Sequence, residues 1–190
     1  MNLPNTLTLS RIFLVPLLVV VLLTKFEGQN ILGLDVDLVA AAIFAVASAT
    51  DWLDGYLARR RKQITPLGQM MDPLADKLLT SAAFISLVWM GVASAWIVAV
   101  IIGRDLAVTM LRSIAYSRGA SLPASPLGKF KMAAEVVAIL GMILGRGRRG
   151  AFYLIGVAGL WVAVATAVVS GIDYYRKFMR SQGAEVRLRP

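Results

Sequence analysis

Six apolar stretches joined by short connections constrain the fold of this chain more than any other feature. A helix needs about 20 predominantly apolar residues to cross a bilayer, and a chain of 190 residues has room for six. The composition agrees, because 58% of residues are hydrophobic and only 16% are charged. We therefore predict an all-α integral membrane protein with six transmembrane helices in a single domain, 1–190. The predicted spans are residues 12–23, 38–49, 74–90, 95–113, 132–144 and 151–172. Between them we predict a turn over 63–71, a short uncharged connector over 91–94 and a polar loop over 116–126.

The chain contains neither cysteine nor histidine, and their absence restricts the possible chemistry. Disulfides, thiolate zinc sites, thiol nucleophiles, imidazole bases and histidine metal ligands are excluded. Acid-base or metal chemistry must therefore come from Asp and Glu. The formal net charge of +9 would suggest nucleic acid in a soluble protein. In a membrane protein it is expected from cytoplasmic loops that contact anionic lipid heads or phosphates, so we predict no nucleic-acid partner.

Four aspartates lie close together in this apolar sequence, in the pattern Asp51-x2-Asp54-Gly55-x2-Ala58-Arg59-x8-Gly68-x3-Asp72-x3-Asp76. Each ionised Asp near a bilayer costs at least ~2.5 to 3.5 kcal/mol, so four require compensating charge. In helices, the spacings i, i+3 and i, i+4 place each pair of carboxylates on one face. Four oxygen donors suit Mg²⁺ or Mn²⁺, and two such ions suit phosphoryl transfer.

Each part of this motif also has a plainer interpretation. A single intramembrane Asp can be a proton relay or the partner of a basic residue, although four at this spacing are poorly explained in that way. Gly55, Ala58 and Gly68 could simply permit close helix packing. Because they lie beside carboxylates and Arg59, we interpret them as allowing a ligand phosphate or nucleotide to approach the backbone. The basic residues 60–62 are interpreted as a topology anchor.

Basic residues in short loops predict the orientation of the spans. With the N-terminus inside, the cytoplasmic side collects the basic run 59–62, Arg118, Lys129, Lys131 and the basic C-terminal tail. The aspartate motif would then face the cytoplasm, and loop 25–37 would lie outside. Three arginines disagree with this arrangement, because Arg146, Arg148 and Arg149 would fall outside between spans five and six. The sequence offers no account of them.

The aspartate motif matches, at every fixed position and in its spacing, the signature of the CDP-alcohol phosphatidyltransferase family, and the chain resembles that family. The resemblance implies a six-helix membrane fold, a homodimer and dependence on divalent metal. Further blocks resemble the bacterial phosphatidylglycerophosphate synthase branch of the family, and the resemblance covers nearly the whole chain. These blocks are residues 2–11, 72–79, 104–105 with 111–112, 128–131 and 170–175.

The resemblance also assigns roles around the motif. Asp51, Asp54 and Asp72 would hold two Mg²⁺ or Mn²⁺ ions that bind the pyrophosphate of CDP-diacylglycerol. Asp76 would lie within ligand reach and would be the general base, for which no histidine competes. The full set expected to bind CDP-diacylglycerol is Asn5, Thr8, Arg11, Asp51, Gly55, Ala58, Arg59, Thr65 and Gly68.

The expected acceptor is sn-glycerol 3-phosphate, held by Arg104, Arg112 and Lys129, with Arg118 as a further candidate. Arg104 and Arg112 are eight residues apart, roughly 80 degrees around a helix, so both can address one cavity. In the plainer alternative, Arg104 pairs with a structural carboxylate and Lys129 extends its amine to the membrane surface. The alternative functions are a sister enzyme using inositol phosphate or another alcohol, a divalent-cation transporter, or a non-catalytic scaffold. We expect an enzyme of the bacterial cell membrane, surrounded by membrane lipids.

Overall fold

The computed structural model describes the backbone of residues 3–24, 35–61, 66–117, 126–146 and 150–187. Side chains are described for residues 10–24, 35–50, 75–115, 127–146 and 150–179. All regular structure in these ranges is helical. The six helices are α1 (Leu3–Leu23), α2 (Val36–Arg61), α3 (Pro66–Trp89), α4 (Ala95–Ser117), α5 (Pro126–Leu144) and α6 (Ala151–Arg187).

Each predicted span coincides with part of one helix, except that the third span ends one residue beyond α3, and several helices extend further than the apolar sequence. Residues 66–71 were predicted to be part of a turn, and that prediction is wrong because α3 begins at Pro66. Proline suits the first helical position, where its fixed φ is compatible and its missing N–H is not needed. The predicted loop from Tyr116 is also wrong at its ends, since α4 continues to Ser117 and α5 begins at Pro126.

The sixth span was predicted to end at residue 172, where the apolar sequence ends. Helix α6 instead continues through the basic tail to Arg187. Lysine and arginine are good helix formers, so leaving the apolar stretch does not require the helix to end. Lys177 Nζ donates to Asp173 Oδ2 at 2.7 Å, an i, i+4 ion pair that supports the helix at this point.

One helix in the described part of the chain is long and apolar enough to cross a membrane by length and composition, over Ala151–Met179. Shorter apolar helices cover Ser10–Leu23 and Val36–Thr50. Helices α4 and α5 are interrupted by charged side chains, and these interruptions mark the site described below. Six transmembrane spans therefore stay a prediction. The interrupting residues are Arg104, Asp105 and Arg112 in α4, and Lys129, Lys131 and Glu135 in α5.

A defined turn joins α3 to α4 and confirms the predicted uncharged connector. Gly91 N–H donates to the carbonyl of Val88 at 2.9 Å, and Val92 N–H donates to the carbonyl of Leu87 at 2.9 Å. This pair of bonds is the Schellman motif, which satisfies carbonyls at the helix end. Gly91 has φ 67°, a left-handed conformation that glycine adopts without steric cost.

Helices α5 and α6 pack closely at what we call the glycine seam, formed by Gly141 in α5, Gly145 in the turn that follows it, and Gly156 in α6. A Cβ added to Gly141 would lie 2.6 Å from the backbone nitrogen of Gly156, and one added to Gly145 would overlap the backbone of Tyr153. Small residues let helix backbones approach closely in this way. Elsewhere the core is filled by larger apolar side chains, including Phe44 and Phe84.

One of the three arginines that the orientation left unexplained has a partner in the structure. Arg146 Nη1 donates to Asp37 Oδ1 at 3.1 Å. The bond joins the turn after α5 to the first turn of α2, at the end of α5 remote from its three charged residues. Arg146 is therefore accounted for by a contact between helix ends, whereas Arg148 and Arg149 lie outside the described residues.

Candidate active site

A cavity of about 150 Å³ that is lined by several charged side chains lies where α3, α4, α5 and α6 meet. Its wall contains five basic and three acidic side chains, which gives a formal charge of +2 at full ionisation. A site with this charge favours an anion. The lining residues are Asp76, Lys77 and Thr80 from α3; Arg104, Asp105, Val108, Thr109 and Arg112 from α4; Gly128, Lys129, Lys131, Met132 and Glu135 from α5; and Tyr174 from α6.

The aspartate motif reaches this cavity through Asp76, which is half-buried in its wall. The predicted helical spacing is confirmed, because Asp51 and Asp54 lie within α2 while Asp72 and Asp76 lie within α3. Helices α2 and α3 pack against each other. The side chains of Asp51, Asp54 and Asp72 lie outside the described residues. Among the side chains that are described, no group of three or more carboxylates is arranged to hold a metal ion, so the metal site stays a prediction.

The residues predicted to bind CDP-diacylglycerol fall mostly where side chains are not described. Arg11 is the exception. It is fully buried on α1 and is not among the residues that line the cavity. Thr65 lies outside the described residues. For six further residues the side chains are not described, although the backbone is helical. These residues are Asn5, Thr8, Gly55, Ala58, Arg59 and Gly68.

Three of the four predicted acceptor residues, Arg104, Arg112 and Lys129, line the cavity together. The fourth, Arg118, lies outside the described residues. Arg104 Nη1 donates to Asp105 Oδ1 at 3.0 Å, which is the carboxylate pairing of the plainer alternative. Its buried Nε nevertheless has no hydrogen-bond partner among the described residues. Arg104 therefore keeps a donor for a ligand while its orientation is fixed by the protein.

A buried ion cluster formed by Asp105, Lys131 and Glu135 was not predicted as part of the site. Lys131 is 2% exposed, and its Nζ lies 2.5 Å from Asp105 Oδ2 and 2.6 Å from Glu135 Oε1. Lys77 Nζ donates to the backbone carbonyl of Asp105 at 3.4 Å, so the cluster connects α3, α4 and α5. Asp105 and Lys131 belong to blocks that carried the resemblance, and the i, i+4 spacing of Lys131 and Glu135 was the signal available in the sequence.

Tyr174 was also missed, although it lies in one of the same blocks. It is 3% exposed, and its ring centroid lies 5.9 Å from Cζ of Arg104 and 5.5 Å from Cζ of Arg112. These are cation–π distances. Nothing in the sequence alone indicates which face of α6 meets α4, so this contact required the structure.

Comparison with known proteins decides the family. Residues 1–169 match the profile of CDP-alcohol phosphatidyltransferase. The chain belongs to this family. The resemblance predicted from the aspartate motif is thereby confirmed, and this CDP-alcohol phosphatidyltransferase is a transferase and not a cation transporter or a scaffold. The family is membrane-embedded, which agrees with the exposed apolar side chains of the helices, such as Phe13, Trp89 and Phe152.

Relatives with assigned names resemble nearly the whole of this phosphatidyltransferase. A Bacillus subtilis (strain 168) protein named CDP-diacylglycerol--glycerol-3-phosphate 3-phosphatidyltransferase is 42% identical over 93% of the chain and 94% of its own length. A Pseudomonas fluorescens protein of the same name is 34% identical over 93% and 89%. A probable phosphatidylglycerophosphate synthase of Mycobacterium tuberculosis (strain ATCC 25618 / H37Rv) is 38% identical over 96% and 84%.

Proposed function

We propose that this phosphatidyltransferase moves the phosphatidyl group of CDP-diacylglycerol to sn-glycerol 3-phosphate, giving phosphatidylglycerol phosphate and CMP. The observation that carries the proposal is the cavity that Asp76 lines. The wall of this cavity has a formal charge of +2, which a phosphate dianion would neutralise. The names of the relatives support the same donor and acceptor. Arginine binds phosphate through paired N–H donors, whereas uncharged glycerol or the ammonium group of serine would leave the basic residues without an anion.

In the proposed reaction, the primary hydroxyl of glycerol phosphate attacks the phosphorus that bears diacylglycerol. A new P–O bond forms to the acceptor, the P–O bond to CMP breaks, and CMP leaves with the bonding electron pair. Asp76 takes the proton of the attacking hydroxyl, the role of a general base. Arg104, Arg112 and Lys129 would hold the acceptor phosphate on the other side of the cavity, so that the hydroxyl is presented to Asp76.

Two divalent ions, Mg²⁺ or Mn²⁺, fit the donor set of the motif. Its four aspartates offer only oxygen ligands, and the helical backbone places them as i, i+3 and i, i+4 pairs on one face of each helix. We propose that Asp51, Asp54 and Asp72 hold the ions, with Asp76 within reach. Bound ions would neutralise the pyrophosphate and the departing CMP. Gly55, Arg59 and Thr65 would line the CDP site, with Asn5, Thr8 and Arg11 closing over it.

We further propose six membrane-crossing helices with the cavity at their cytoplasmic ends, in the bacterial cell membrane, and a homodimer. The basic residues of loops and tail support this orientation. The Arg146–Asp37 contact gives one of the three disagreeing arginines a structural reason to lie on the outer side. All the relatives described above are bacterial.

The test is release of CMP by purified protein given CDP-diacylglycerol, Mg²⁺ and a panel of alcohols. We expect glycerol phosphate to be the fastest acceptor and Asp76→Asn to lower transfer by at least about 10²-fold, the usual contribution of a general base, while CDP-diacylglycerol still binds. The control is Asp173→Asn, which alters a carboxylate on the surface of α6 that pairs with Lys177. Activity of Asp76→Asn close to that of the control would exclude Asp76 as the base. Faster use of inositol phosphate than of glycerol phosphate would instead indicate the sister enzyme activity.

A further inference from the structure

We propose that Tyr174 is a positioning residue for the acceptor phosphate: its ring is a shared contact that fixes the guanidinium groups of Arg104 and Arg112, both of which line the cavity. The proposal deepens the proposed function and rests on it for the identity of the phosphate ester. It concerns a residue of α6, whereas both arginines belong to α4.

The two arginines do not share a contact by virtue of their helix alone. Eight residues of α4 separate Arg104 from Arg112, about 12 Å along the axis and roughly 80 degrees around it. Like charges also repel, so isolated guanidinium groups would move apart. Yet both lie within 6 Å of the same ring centroid, at 5.9 and 5.5 Å. The aromatic ring, whose face is electronegative, is the common contact that offsets this repulsion.

Helix α6 also supports Arg104 through the residues just before Tyr174. Arg104 Nη2 donates to Ser170 Oγ at 2.7 Å, while Ser170 Oγ donates to the carbonyl of Thr166 at 2.6 Å. The serine proton is thereby used within α6, and its lone pairs accept from the arginine. At Gly171 an added Cβ would lie 3.3 Å from Arg104 Cγ, so glycine leaves room for the arginine stem. Asp105 holds Nη1 at 3.0 Å.

An arginine pair fixed in this way has less rotamer freedom to lose when an anion binds. The benefit therefore belongs to acceptor binding, and neither proton transfer nor CDP-diacylglycerol binding should depend on it directly. Because the interaction is with the π face, the ring is required and the phenol hydroxyl is not. Replacing Tyr174 should thus change the KM for glycerol phosphate, with much smaller effects on kcat and on the KM for the lipid donor.

The experiment compares Tyr174→Phe, which keeps the ring, with Tyr174→Leu, which removes it. Tyr175→Leu is the matched control, because Tyr175 is the next residue and is 57% exposed. Steady-state kinetics should give a KM for glycerol phosphate about tenfold higher in Tyr174→Leu, as loss of cation–π contacts predicts, and little change in Tyr174→Phe or Tyr175→Leu. Ser170→Ala, which removes the hydrogen bond to Arg104 together with the hydroxyl's own bond to Thr166 within α6, should raise the same KM severalfold.

A second measurement does not depend on turnover. Added inorganic phosphate should raise the unfolding midpoint of the unmodified protein more than chloride of equal ionic strength, and this difference should shrink in Tyr174→Leu but not in Tyr174→Phe. It tests the arginine pair whichever alcohol is the acceptor, so failure of the proposed function is distinguishable from failure of this inference. The inference is overturned if Tyr174→Phe and Tyr174→Leu behave alike. It is also overturned if kcat falls while the KM for the acceptor and the phosphate effect are unchanged in both Tyr174→Leu and Ser170→Ala.

Discussion

Lys131→Met should destabilise the protein strongly, because it leaves two carboxylates without the cation between them. Lys131 is 2% exposed, and its partners Asp105 and Glu135 are 17% and 4% exposed, so the interaction is shielded from water. Removing one member of a buried ion pair costs about 3–5 kcal/mol, chiefly through the charge left behind. Arg104 still contacts Asp105, so Glu135 is the carboxylate most affected.

The chain contains a closely matched control for this substitution. Lys177 also pairs with a carboxylate one helical turn away, at 2.7 Å, but it is 47% exposed and Asp173 is 38% exposed. An exposed i, i+4 pair contributes only about 0.3–0.5 kcal/mol, so Lys177→Met should be nearly neutral. The same change of side chain is therefore compared in two environments, and burial is the variable.

Unfolding in detergent micelles can be followed by tryptophan fluorescence, since Trp96 and Trp161 stack edge to face at 5.7 Å between α4 and α6. For a chain of this length, a loss of about 3–5 kcal/mol lowers the midpoint by roughly 10 °C. The double variant Lys131→Met/Glu135→Leu should recover at least half of that loss, because no unpaired glutamate remains. Equal midpoints for Lys131→Met and Lys177→Met, or a double variant less stable than Lys131→Met, would refute the reasoning.

Two further predictions concern packing and orientation. Gly145→Ala should lower the free energy of unfolding by about 1–3 kcal/mol, because its Cβ would overlap the backbone of α6. Gly103→Ala on α4 is the control, since its Cβ meets nothing within 4 Å and the change should be neutral or slightly stabilising. Thermal unfolding of the two variants checks this, and equal midpoints would contradict it. Since the chain has no cysteine, Arg61→Cys and Asn30→Cys each report one position to a membrane-impermeant thiol reagent. We expect labelling from outside intact cells at position 30 only, and labelling at position 61 would reverse the proposed orientation.

The sequence predicted the parts of the site that follow from charge and helical spacing. Asp76, Arg104 and Lys129 could be selected because a charged residue in an apolar helix is costly unless it is paired or functional. The structure shows that all three line one cavity. Tyr174 could not be assigned in this way, and for Lys131 the available signal was only its i, i+4 spacing to Glu135. Their roles depend on how α5 and α6 are rotated toward α4, and helical periodicity fixes which residues share a face but not which faces meet.

Helix ends were the weaker part of the fold prediction, for a related reason. Hydropathy indicates where a helix becomes polar, whereas the helix itself ends where its backbone hydrogen bonds end. Arg187 and Pro66 show the difference, since α6 continues far beyond its apolar part and α3 begins well before its own. At Gly91 the two signals coincide, and the predicted connector was correct.

The glycine seam has a mechanical consequence for the cavity. It packs the backbones of α5 and α6 against each other, so the two helices form one rigid unit. The side chains that they contribute to the cavity, Lys131 and Tyr174 among them, are therefore fixed relative to each other. Helix α4 is held to that unit through Arg104 and Ser170. Helix α3, which bears Asp76, is joined to α4 by the longer 3.4 Å hydrogen bond from Lys77 to the carbonyl of Asp105, so we expect a substrate that widens the cavity to displace α3. The acceptor would thus meet a wall of fixed shape, whereas the lipid donor would meet a wall that can adjust to it.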